Sequence, residues 1–110
     1  MERPHDIYSH GATVCNVCQS DRAILLSVEE AKADGVSSSI EVEFCAILGL
    51  TRDAVDTESF RMESPDGEIL TLSLNENGGV LVIEWNDFSA GLSEVHSYGI
   101  HCERVIVRIL

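Results

Sequence analysis

Cys15-Asn16-Val17-Cys18 is the stretch of this chain whose residue types and spacing come nearest to a chemistry. Two thiols separated by two residues have the spacing of a zinc knuckle or a redox dithiol, because one turn can bring both sulfurs to the same ion or to each other. Zinc completes a tetrahedron with four ligands, and the other candidates are His5, His10, Cys45, His96, His101 and Cys102. His101 and Cys102 are adjacent, so on a strand they point to opposite faces and at most one joins the knuckle. The chain has no second knuckle and no glycine directly after Cys18. A redox role would require a helix N-terminus beside the thiols to lower their pKa, and nothing here places one. Cys15 and Cys18 are therefore the candidate metal ligands and zinc the candidate cofactor, against the plainer reading of packed or surface cysteines. Four cysteines also permit three disulfide pairings, which a reducing compartment would keep open.

A thiol nucleophile would pair Cys45 or Cys102 with His96 or His101, yet no local motif sets a base beside a thiol, and strand cysteines are usually buried and inert. The 19 Asp and Glu residues could supply an acid–base pair anywhere, so their abundance singles out none. Gly78-Gly79 falls in a hairpin turn and opens no helix that could cradle a phosphate. The expectation is a protein that is not an enzyme.

Charge carries the strongest signal. Nineteen acids face seven basic residues, a formal net charge of −12, and Lys32 is the sole lysine. Such a surface repels nucleic-acid phosphates and anionic lipid and attracts basic proteins. Solubility or life in high salt would favour the same composition. The most interface-like cluster is Trp85 with Phe88 beside Glu84 and Asp87, since aromatics next to carboxylates suit a hot spot that receives a partner's arginines. Alternation also allows the plainer reading, in which Trp85 shares a core face with Leu81 and Ile83. Glu41 and Glu43 form a second acidic row, the outer face of a strand whose other side is Ile40, Val42, Phe44 and Ala46.

These residues need elements to hold them, and the pattern is mostly that of strands. A meander over 58–86 is expected, with strands Phe60–Ser64, Glu68–Leu74 and Val80–Trp85 joined by turns at Pro65-Asp66-Gly67 and Asn75–Gly79. Leu70, Leu72 and Leu74 would share one face, and Val80-Leu81-Val82-Ile83 reads as a strand covered on both sides. Further strands are expected near 22–26, 40–48 and 102–110. Ser27-Val28-Glu29-Glu30 matches a capping box and Gly35 a helix stop, which predicts a short helix over 28–34, the alternative being one strand over Ala23–Glu30. Residues 1–20 read as an irregular segment with at best a short strand at Thr13–Val17.

A chain of 110 residues with 45% hydrophobic content suits a single domain, 1–110, with a real core. The expected class is α+β, mainly β: an antiparallel sheet with one or two short helices, or alternatively a small barrel or sandwich. No apolar run reaches 18 residues and the first residues are polar, which points to a cytoplasmic protein that neither spans nor binds a membrane. The functional expectation is a small acidic binding protein that masks a basic partner. Its most concrete form is an inhibitor or immunity-type protein blocking a nuclease or nucleic-acid-binding protein, without touching nucleic acid itself. The alternative is a zinc-stabilised interaction module built on Cys15 and Cys18.

Overall fold

A computed structural model describes residues 7–8, 11–33 and 36–110, and these residues form strands joined by turns and one irregular connector over 57–65, with no helix among them. The strands are β1 (Ile7–Tyr8), β2 (Thr13–Ser20), β3 (Ala23–Ala33), β4 (Val36–Arg52), β5 (Val55–Asp56), β6 (Asp66–Asn75), β7 (Gly78–Asp87) and β8 (Leu92–Ile109). All their pairings are antiparallel. Six of them pair in the cycle β2–β3–β4–β8–β7–β6 and back to β2, while β1 and β5 are short additions to β3 and β4. The mainly-β expectation holds, and the closed cycle is the topology of the small barrel.

The inside of that cycle follows from period-two alternation. Ile24, Leu26 and Val28 of β3, Ile40, Val42 and Phe44 of β4, Leu81, Ile83 and Trp85 of β7, and Tyr98, Ile100 and Cys102 of β8 are all buried. Bulges let the long strands bend around this core. Register shifts occur in β3 between Val28 and Ala31, and in β4 between Ile47 and Gly49. Glu30 (φ 63°) and Ala46 (φ 58°) take left-handed backbone near these bends.

The capping-box segment Ser27–Ala33 belongs to β3, because Val28 enters the core and the segment pairs with β4, so packing overrides the local capping signal; Asp34 and Gly35 lie outside the described residues. Thr13–Ser20 is a full strand, paired with β3 along its length, where the N-terminal twenty residues read as irregular. Leu70 does not share the face of Leu72 and Leu74. A register shift between Ile69 and Thr71 puts Ile69 in the core, and only Leu72 and Leu74 pack against it. Val80 is 50% exposed, so β7 is covered on its inner face alone. The strand near 102–110 starts ten residues earlier, at Leu92, and the strand over 40–48 runs from Val36 to Arg52.

The cycle closes through β6, not through the strand expected over Phe60–Ser64. Phe60–Ser64 is not a strand, and Gly67 is a strand residue, not a turn residue. Its missing side chain is filled by the Trp85 ring: a Cβ there would lie 2.7 Å from that ring. The seam between β2 and β6 is short, with Thr13 opposite Glu68 and Val14 opposite Gly67. Backbone hydrogen bonds from Gly11 to Ile69 (2.7 Å) and from Ile69 to Ala12 (2.8 Å) extend it. Gln19 of β2 holds the first part of the connector between β5 and β6. Its amide donates to the Glu58 carbonyl (2.9 Å), and its oxygen accepts from the Phe60 N–H (3.0 Å). Phe60 is thereby fixed in the core, its ring stacked on Tyr98 with centroids 4.4 Å apart.

Candidate partner-binding surface

The hairpin of β7 and β8 carries four of the predicted partner-binding residues and divides them between inside and outside. Trp85 is 1% exposed, opposite Glu94 in register, and belongs to the core. Phe88, at the tip, is 77% exposed and Leu92 is 63% exposed. Asp87 organises the tip: its Oδ1 accepts from the Ser89 hydroxyl (2.8 Å) and the Ala90 N–H (3.2 Å). Those two bonds favour the ionised form and hold its carboxyl below the usual range. Glu84 stands opposite Val95, half-buried, and accepts from the Asn86 amide at 3.3 Å. The tip is thus an exposed pair of apolar side chains beside a carboxylate fixed in its charged state.

Behind the tip runs a polar chain. The Trp85 indole N–H donates to the Tyr98 hydroxyl (2.7 Å), which donates to Glu63 Oε2 (2.7 Å). Arg52 grips both Glu63 oxygens, at 2.5 and 2.9 Å, in the bidentate geometry that guanidinium and carboxylate share. Burial alone would raise the Glu63 pKa, but the bonds from Arg52 and Tyr98 outweigh it and hold the group below its usual range. Burial, together with the bond to Glu63, pushes the Tyr98 phenol up, so it stays neutral. No buried side-chain polar atom among the described residues lacks a partner.

His96 joins this chain to the β4–β5 turn. Its Nδ1 lies 2.6 Å from Asp53 Oδ2, and its Nε2 is 3.1 Å from Glu94 Oε2 and 3.0 Å from Arg52 Nη2. The guanidinium can only donate, so Nε2 serves Arg52 when the ring is neutral and Glu94 when it is protonated. Burial opposes the charged ring, but the bonds to Glu94 and Asp53 prevail and raise the His96 pKa. Asp53 is held low by the Ser97 N–H and then by His96. A raised folded-state pKa means that the His96 contribution is complete below the ordinary histidine value of about 6.5 and fades as pH rises through the folded value. The Asp53 contribution fades only in acid. The thermal midpoint should therefore fall as the solution is taken from about pH 6 toward pH 8, and His96→Gln should flatten that slope. A slope unchanged in the variant would place the titrating group elsewhere.

The other predicted residues lie apart from the hairpin tip. Glu41 and Glu43 stand on β4 facing Arg108 of β8, whose Nη2 donates to Glu43 at 2.6 Å and whose Nη1 is 3.9 Å from Glu41. The Arg108 bond lowers the Glu43 pKa. This acidic row is half-buried and already partnered by a cation of its own chain. Cys15 and Cys18 are exposed free thiols on β2, with Cys15 at the register shift between Val14 and Asn16. Burial, followed by the nearby Glu29, raises the Cys15 pKa. Among the described residues no three His, Cys, Asp or Glu side chains are arranged so that they could hold a metal ion; His5 and His10 lie outside them. A thiol reagent at neutral pH should modify Cys15 and Cys18 well before Cys102, which is fully buried. Protection of the first two that a chelator lifts would instead reveal a bound metal.

Arg52, Asp53, Glu63 and Tyr98 were not anticipated as a group. They are spread over 47 positions with no shared motif, and only the pairing of β4 with β8, which sets Arg52 opposite Tyr98, assembles them. No family model, no curated protein and no solved structure matches the chain.

Proposed function

We propose that this chain is a small acidic binding protein that masks a basic partner. Its most concrete form is an inhibitor or immunity-type protein occupying the nucleic-acid site of a nuclease or nucleic-acid-binding protein. The observation that carries this reading is the β7–β8 hairpin tip, where Phe88 and Leu92 stand exposed beside the ionised Asp87. An apolar anchor rimmed by carboxylates fits a patch of arginines and lysines, the surface that binds phosphates in the partner's own function. The net charge of −12 supplies the long-range attraction. Arg52 and Arg108 are held by Glu63 and by Glu43 with Glu41, so neither presents a free cation to oppose a basic partner. The reading is non-enzymatic.

The test is a pull-down followed by a salt series of association rates. A net basic partner is expected, with association slowing steeply as added salt brings the Debye length below about 10 Å. A neutral or acidic partner with salt-independent kinetics would refute the reading.

A further inference from the structure

The hairpin offers a second recognition element beside its tip, the outer edge of β8. From Tyr98 to His101 β8 pairs with β7 on one side and β4 on the other, and beyond His101 its ladder is with β4. The β4 pairing stops at Arg52, where Asp53 and Ala54, both in left-handed backbone (φ 53° and 66°), reverse the chain into β5. Asp53 marks the end of the ladder twice. Its N–H donates to the Ser97 carbonyl (2.8 Å), and its carboxylate accepts from the Ser97 N–H (3.0 Å). Both backbone groups of Ser97 therefore face away from β7.

In an antiparallel strand the N–H and C=O of one residue point to the same side, and the side alternates with each residue. The register of β8 against β7 runs without a shift from Leu92 to His101. Ser93 and Val95 must then present their backbone groups as Ser97 does, outward. Among the described residues no backbone partner meets them. Two donors and two acceptors stand along this edge, with the two residues about 7 Å apart.

We infer that the Ser93–Val95 edge takes an extended segment of a basic partner as an added antiparallel strand. The basic character rests on the reading above, while the edge geometry does not. Glu94 is exposed and points to the face opposite Val95, and Glu84 and Asp53 flank the same stretch. A segment alternating cationic and apolar residues would set its cations toward Glu94 and its apolar side chains along Val95. A second copy of this chain fits poorly. Edge pairing about a two-fold axis at Glu94 would place Glu94 opposite its own copy, between two chains that each carry −12.

The experiment uses the full chain and two blocked peptides of equal charge, one with four Lys-Val repeats and one with four Lys-Pro repeats, which cannot form a ladder. Residue-resolved amide exchange should find Ser93 and Val95 fast in the free chain, and slowed at least tenfold by the Lys-Val peptide alone. Val95→Pro removes an outward N–H that has no internal partner, so the fold should survive while Lys-Val affinity drops at least tenfold. Ser93→Pro is the second variant at the other outward amide. Slow exchange in the free chain would overturn the inference by showing the edge already covered. Equal binding of both peptides without protection, or no protection by either, would also overturn it and leave the salt-dependent partner reading to its own test. A dimer in sedimentation that Val95→Pro dissociates would make the second copy the occupant and refute it as well.

Discussion

Trp85→Ala should destabilise the chain by about 3–5 kcal/mol in urea or thermal unfolding, the cost of emptying a fully buried aromatic site. The side chain is 1% exposed, touches Gly67 across the sheet and ends the hydrogen-bonded chain through Tyr98 to Glu63. Removing it opens a void where β6 meets the short seam with β2. Trp85→Phe separates the two contributions. It keeps an aromatic ring but loses the N–H, and the Tyr98 hydroxyl still donates to Glu63, so the lost hydrogen bond should add about 0.5–1.5 kcal/mol to whatever the smaller ring costs. Gly67→Ala offers a third view, because its Cβ would lie 2.7 Å from the indole ring and should cost about 1–3 kcal/mol by overpacking. In the Trp85→Phe background that cost should shrink, since the benzo ring that blocks the new methyl is gone; the difference is the coupling between the two positions. Equal costs in both backgrounds would mean that Gly67 serves the backbone alone.

That pair shows where sequence reasoning stops. Trp85 was legible as a core candidate, because it alternates with Leu81 and Ile83, and the structure places all three inside. The β7 strand and its turn into β6 were legible from Asn75 to Gly79 for the same local reasons. Gly67 was not, since Pro65-Asp66-Gly67 carries a turn signal and the demand on Gly67 comes from a tryptophan 18 positions away. Bulges hid the rest. One extra residue at Leu70 reverses which side chains face inward, and the alternation of leucines survives in the sequence while its phase changes in the fold. The capping box at Ser27–Glu30 misled for a related reason: cap chemistry is local, and the burial of Val28 and Ala31 on a strand outweighs it. At the candidate surface, the cluster of Phe88 with Asp87 was legible from their adjacency. The Arg52–Glu63–Tyr98 group was not, because it exists only once β4 lies against β8.

Replacing Glu84 and Asp87 together by lysine should slow association with the partner by tenfold or more at low salt, and by much less at high salt. The double change alters net charge by four, from −12 to −8. Moving the same four charges by Glu29→Lys and Glu30→Lys is the matched control, since those residues are exposed on β3, away from the β7–β8 hairpin. If attraction depends on net charge alone, the two variants should slow association equally, because steering at long range reads the total field. If the hairpin is the docking surface, only the first should also speed dissociation, because contact charges act after the encounter and their loss appears in the off-rate. Asp87 has a structural duty at the turn through Ser89 and Ala90, so its removal will loosen the tip. Glu84→Lys alone, whose carboxylate accepts from the Asn86 amide and not from the turn residues Ser89 and Ala90, keeps the comparison free of that effect. Phe88→Ala then tests the apolar half of the surface: a faster off-rate with an unchanged salt dependence is expected, since a 77% exposed ring contributes burial at contact and no charge at a distance. Association that ignores both hairpin variants while responding to Glu29 and Glu30 would move the docking surface to β3.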